Sequence, residues 1–202
     1  MDELRYHYKY PHPSVTADCV VFGFDGVNLM ILLVKRGHEP YKGKWAFPGG
    51  FINIDESAES GALRELKEET GLSDVVINQF YAFTNPDRDP RERVISIAYY
   101  AVVRLQSVTG GDDAAKASWF KFDEIPSLAF DHQEILCRAC ETLYKKLLCE
   151  PLDFSFLPDG ITMLEFRNFY SFVRNNFDYQ KNQTVNNDCL VLNFLLYLYT
   201  MP

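Results

Sequence analysis

The sequence predicts an α+β fold, and three observations predict it. Four runs rich in β-branched and aromatic residues, 15–24, 29–34, 75–83 and 94–105, have the length and composition of strands. Two stretches carry apolar residues at helical spacing, one ending at Gly71 and one over 133–148. All of these lie in residues 1–150, and the character of the chain changes at Pro151, so that 151–202 reads as a short helical extension.

Composition bounds the rest. With 202 residues, 47% hydrophobic and 24% charged, the chain has the balance of a soluble globular protein with one well-cored domain and a small appendage. A formal net charge of −8 works against broad electrostatic capture of nucleic acid. The opening MDELRYHYKYPHPS is acidic and lacks an apolar centre, unlike a secretory signal. No run approaches the roughly 18 apolar residues of a membrane span. Five cysteines, an odd number, suit free thiols in a reducing cytoplasm. Cys137 and Cys140 fall in the second helix without a second pair, which makes them structural residues.

Taken in order, Tyr6, Tyr8 and Tyr10 alternate in an extended lead-in, as an edge strand or a dimer contact would. Strands 15–24 and 29–34 flank Asp25-Gly26, a hairpin turn. A loop opened by Lys35-Arg36-Gly37 runs to Trp45-Ala46-Phe47-Pro48-Gly49-Gly50. The first helix starts near Asp55 or Ser57, either of which can cap it, and stops at Gly71, which suits a left-handed end. Ala58, Ala62, Leu63 and Leu66 share one arc; Glu65, Glu68 and Glu69, spaced i, i+3, i+4, line the adjoining one. Like charges at this spacing cost the helix roughly a few tenths of a kcal/mol per pair. Converging carboxylate oxygens are what Mg²⁺ or Mn²⁺ takes as ligands. Arg64 can hold one of them bidentately and offset the repulsion. Beyond the helix, strands 75–83 and 94–105 enclose a polar loop, 84–93, with Arg88, Arg91 and Arg93. Gly110-Gly-Asp112-Asp113-Ala then precedes a Trp119-Phe120 strand. The helix over 133–148 presents Ile135, Leu136, Leu143 and Leu147 to the sheet, and His132 reads as a loop or cap residue.

The stretch 50–72 resembles the signature of the Nudix family, G-x5-E-x7-R-E-U-x-E-E-x-G-U with U apolar. Gly50, Glu56, Arg64-Glu65-Leu66, Glu68-Glu69 and Gly71-Leu72 fill every fixed position. The resemblance implies an α/β/α sandwich with a mixed sheet. It also implies hydrolysis of a nucleoside diphosphate linked to another moiety with divalent metal. On that resemblance Arg64 orients a catalytic glutamate and Glu56 anchors Arg64. Glu65, Glu68 and Glu69 share metal binding and base duties, the Gly50 carbonyl joins the metal shell, and Gly71 is structural. An acidic residue in the loop before the Trp-Phe strand serves as general base in related enzymes, with Asp113 the first choice and Asp112 the second. Nudix enzymes acting on ADP-ribose resemble the layout of the 84–93 loop. Arg88, Arg91 and Arg93 are therefore candidates for pyrophosphate or terminal ribose, as is Arg36 for phosphate or ribose. The substrate class is a nucleoside diphosphate sugar, with ADP-ribose cleaved to AMP and ribose 5-phosphate, and the expected assembly is a homodimer.

From Pro151 the chain resembles the linker and first helices of a winged helix-turn-helix. Such a module follows the hydrolase domain in one Nudix branch, which includes ADP-ribose-sensing regulators of NAD metabolism. Thr162 reads as a helix cap with Glu165 at the third position. Where that branch has a basic recognition helix, residues 177–202 carry Lys181 as their single cation. A DNA reader needs several cations for phosphates alone. The extension is therefore expected to be truncated or degenerate, and specific DNA binding is not expected.

Overall fold

The computed structural model describes residues 9–110, 114–148 and 157–177. Strand β1 (Ser14–Phe24) turns into β2 (Leu29–Arg36). Asp25 Oδ1 accepts from the Val27 and Asn28 amides at 2.8 and 2.6 Å, and Gly26 takes φ 100°, so the Asp-Gly pair closes the hairpin. Two short strands follow, β3 (Trp45–Ala46) and β4 (Gly49–Phe51), then helix α1 (Ala58–Thr70). Strands β5 (Asn78–Phe83), β6 (Val94–Arg104) and β7 (Ala114–Lys121) lead through a 3-10 turn to helices α2 (His132–Leu148) and α3 (Met163–Asn176).

The strands form one mixed sheet whose main path runs β3-β2-β1-β6-β5, with β4 on β1 and β7 on β2. β1 and β6 pair in parallel along their full length, from Ser14 beside Val94 to Phe24 beside Arg104. The other pairings are antiparallel. Alternation along β1 divides the core. Val20, Phe22 and Phe24 join Ile135, Leu136 and Leu143 of α2 and Phe169 and Val173 of α3 in one apolar cluster. Ala17, Cys19 and Val21 join Ala62 and Leu66 of α1 in the other. The sheet therefore lies between α1 on one side and α2 with α3 on the other, an α/β/α sandwich.

Several element ends resolve what the sequence left open. Ser57, not Asp55, caps α1: its hydroxyl accepts from the Ser60 amide at 3.1 Å. Gly71 closes the helix at φ 76°, its amide donating to the Lys67 carbonyl at 2.9 Å. The strand expected from residue 75 pairs only from Asn78, because Val75 is buried in the α1-side cluster before the chain reaches β6. Tyr10 is exposed and belongs to no strand, while Tyr6 and Tyr8 lie outside the described residues. α3 starts on a capping box, with Thr162 Oγ1 accepting from the Glu165 amide and the Glu165 carboxylate accepting from the Thr162 amide. The cation-poor segment after residue 177 lies outside the described residues. Among the described residues no helix is long and apolar enough to cross a membrane.

Candidate active site

β4 exists because β1 pairs with it: Thr16, Ala17 and Asp18 lie beside Phe51, Gly50 and Gly49. A side chain at Gly49 would collide with the Ala17 carbonyl, and a Cβ at Gly50 would sit 2.5 Å from the Glu65 carboxyl carbon. Glycine at position 49 lets β4 close on β1, and glycine at position 50 lets the Glu65 carboxylate close on the backbone. The Gly49 amide donates to Glu69 Oε2 at 2.9 Å.

Arg64 is the hub of the acidic face. Its Nε and Nη2 donate to Glu56 at 3.1 and 2.6 Å, Nη1 to Glu65 at 2.8 Å and to Glu68 at 3.1 Å, and Nη2 also to the Phe51 carbonyl at 3.2 Å. Those bonds to Arg64, with another from the Asn53 amide, hold the Glu56 carboxyl down at about 2. Glu56 thus grips the guanidinium from one side while Glu65 and Glu68 take the other.

Glu69 differs from its neighbours. Burial lifts its carboxyl to about 7, with Glu65 and Asp18 adding like charge, against the opposing pull of the Gly49 hydrogen bond and Arg36. Glu65 and Glu69 line a cleft of about 360 Å³ together with Gly49, Gly50, Arg36 and Arg64. Glu68 stands apart, its side chain 58% exposed and paired to Arg64. Among the described residues no three acidic, His or Cys side chains already converge as a complete metal site. The hard oxygens of Glu65 and Glu69, brought close enough that Glu65 adds like charge to a carboxyl already raised by burial, nevertheless fit a divalent cation.

A second cavity, of about 160 Å³, meets the cleft along Arg36, Phe47, Gly49, Gly50 and Phe51. Its inner wall is polar. Arg88 donates to both Asp131 oxygens at 2.9 and 2.7 Å and stands 3.7 Å from Asp18, which accepts a hydrogen bond from the Ser96 hydroxyl. His132 Nδ1 accepts from the Phe47 amide at 2.9 Å, which leaves its proton on Nε2, 3.7 Å from Asp18. Burial lowers the His132 pKa, consistent with a neutral ring. At the rim, Arg36 lies 4.7 Å over the Phe130 ring and donates to the Pro40 carbonyl, while Arg91 lies 5.2 Å over Phe51 and pairs with Asp89 at 2.7 Å.

The structure gathers Arg36, Arg88 and Arg91 around this cavity, and Gly50, Glu65 and Glu69 around the adjoining cleft. Glu56 and Arg64 support α1's acidic face, and Gly71 ends the helix. Asp112 and Asp113 lie outside the described residues. Sequence reasoning passed over Thr16, Asp18, Phe51, Asp89, Phe130 and Asp131, which line the cavity or anchor its wall, and read His132 as a loop or cap residue although it is buried at the start of α2. One signal was present: Asp18 is the one charged residue of β1, and a buried charge there needs a reason.

The sandwich, the glycine ridge and the carboxylate face define a class. Residues 12–139, more than half of the chain, match the family model of the NUDIX domain, and the chain belongs to the Nudix hydrolase family. It is 40% identical over 134 residues to the ADP-ribose pyrophosphatase of Methanocaldococcus jannaschii, covering 66% of this chain and 77% of that one. It is 31% identical over 169 residues to the ADPR responsive transcriptional repressor NtrR of Acinetobacter baylyi, covering 81% of this chain and 68% of that one. A MutT/nudix family protein from Enterococcus faecalis superposes with a TM-score of 0.74 at 31% identity, over 88% of this chain and 79% of that one.

Proposed function

We propose that this protein hydrolyses the pyrophosphate of ADP-ribose, giving AMP and ribose 5-phosphate, with Mg²⁺ or Mn²⁺ as cofactor. The observation that carries the reading is the continuity of the two hollows: a carboxylate cleft for the phosphates opens along Gly49 and Gly50 into an arginine-rimmed cavity for what the phosphates carry. Glu65, Glu69 and the Gly50 carbonyl would hold the metal, with Glu68 within the same helical face. The bound cation would offset charge developing on the pyrophosphate oxygens. Arg36, held by the Pro40 carbonyl, and Arg91, held by Asp89, would meet substrate at the rim through their remaining N–H groups, while Arg88 keeps the inner wall in place through Asp131. Water attacks one phosphorus, the bond to the bridging oxygen breaks, and the attacking water's proton goes to a carboxylate. Glu69, fixed at the edge of the cleft by the Gly49 amide, is one candidate for that task; Asp113 is the alternative base from the sequence.

The test is an assay of ADP-ribose, other nucleoside diphosphate sugars and nucleoside triphosphates with Mg²⁺ and with Mn²⁺. AMP and ribose 5-phosphate are the expected products, and activity should vanish with chelator. Preferential release of pyrophosphate from a triphosphate would overturn the choice of substrate. The second reading, a regulator that senses ADP-ribose without turnover, is supported by the likeness to NtrR, which extends across 81% of this chain. Its mark would be saturable, sequence-selective DNA binding reversed by ADP-ribose. The net charge of −8 and the single cation after residue 177 weigh against it.

A further inference from the structure

Thr16 Oγ1 is buried and makes no hydrogen bond, in a residue only 9% exposed. Buried hydroxyls are nearly always paired, because an unmade bond leaves their desolvation uncompensated. The sheet offers Thr16 no partner. Ser96, beside it on β6, gives its hydroxyl to Asp18, and Phe51, beside it on β4, has no polar side-chain atom. Thr16 belongs to the wall of the smaller cavity, with Asp18, one alternation further along β1, and Asp89. The charges of that wall are engaged with one another, Arg88 with Asp18 and Asp131 and Arg91 with Asp89, which suits a neutral group rich in hydroxyls beside Thr16. A phosphate seated in the adjoining cleft, across the Gly49-Gly50 ridge, brings the sugar attached to it into this cavity.

We infer that Thr16 is a specificity-determining residue whose orphaned hydroxyl, closed off from the cavity in this structure, turns about χ1 to pair with a ribose hydroxyl of the substrate. The inference rests on the ADP-ribose reading above. ADP-ribose carries two riboses, one on adenosine and one at the far end, and the same contact suits either. A threonine hydroxyl both donates and accepts, so it can satisfy a ribose hydroxyl whichever way that group points.

The experiment compares wild type, Thr16→Val, which keeps the shape without the hydroxyl, and Thr16→Ser, which keeps the hydroxyl. Three substrates are turned over: ADP-ribose, its 2′-deoxyadenosine analogue, and an analogue lacking a hydroxyl on the terminal ribose. Affinity is read in parallel by calorimetry, with Mg²⁺ and the methylene-bridged analogue of ADP-ribose. Thr16→Val should melt at or above the wild-type temperature, since no existing bond is lost. Its kcat/KM on ADP-ribose and its affinity should fall about tenfold, the scale of one neutral hydrogen bond, while Thr16→Ser retains both. The loss should disappear on whichever deoxy substrate lacks the partner, and that arm identifies the ribose. Wild-type behaviour of Thr16→Val, an equal loss on both deoxy substrates, or a lower melting temperature with unchanged affinity would each overturn the inference. If the wild type binds the analogue but does not hydrolyse ADP-ribose, the proposed activity falls while the affinities still decide the role of Thr16.

Discussion

Glu69 accepts the Gly49 amide at 2.9 Å while burial and its acidic neighbours hold its carboxyl near 7. Because that value is raised above the ordinary 4.5, the protonated form favours the folded state. In metal-free protein the resulting stability is full below about 4.5 and is lost as pH rises through about 7. Glu69→Gln removes the titrating group. His132, whose pKa burial lowers, adds stability as pH rises in both proteins, so thermal melts in chelator between pH 5 and 8 should slope more steeply downward, or rise less, for wild type than for the variant, and parallel slopes would sink the assignment. With metal restored, the same variant should lose turnover by orders of magnitude and keep its circular dichroism spectrum. Glu65, Glu68 and Glu69 were legible in the sequence because helical geometry fixes which face an i, i+3, i+4 set occupies. Asp18 and His132 were not, since what each touches lies far along the chain: Ser96 for Asp18, and the Phe47 amide for His132. Spacing says nothing about such encounters.

Helix α1 shows what an element reveals in advance. Ser57 and Gly71 bound α1 through local chemistry, a hydroxyl cap and a left-handed stop, and such ends can be read from neighbouring residues. At Gly71 the demand is double, because φ is 76° and a Cβ would stand 2.9 Å from Thr109 Oγ1. Gly71→Ala should cost about 1–2 kcal/mol, seen as a lower urea midpoint with an unchanged slope; an unshifted midpoint would contradict the capping role. β3 and β4 could not be read this way. Strands of two and three residues hold no periodicity, and they exist only because β2 and β1 supply partners. The glycine ridge was visible as a motif but not as a strand edge.

At the scale of the whole molecule, α3 is part of the main core. Phe169 is fully buried and meets Phe24 edge to face at 5.5 Å. Arg104 on β6 donates to Glu165 at 2.7 Å, and Asn168 to the Gly26 carbonyl at 2.9 Å. The capping box at Thr162 was legible from the sequence, whereas this docking was not, because the contacts join positions that no local pattern relates. Phe169→Ala should cost about 3–5 kcal/mol, against little for Leu164→Ala, whose side chain is exposed. Denaturation of the two variants side by side makes the comparison. Equal effects would mean that α3 does not share the core.

The parallel pairing of β1 with β6 also bears on how the protein reaches its working state. These two strands lie side by side along their full length although β2 to β5 and α1 all fall between them in sequence. Closing so distant a pair carries a large entropic cost before any contact repays it, so it comes late and slowly. α1 can form early from local contacts, carrying its glutamates with it. The Ser96–Asp18 bond behind the cavity cannot form until β6 arrives. The acidic helix is thus a product of local contacts, whereas the cavity wall requires the β1–β6 pairing, and any activity that needs both depends on that long-range closure.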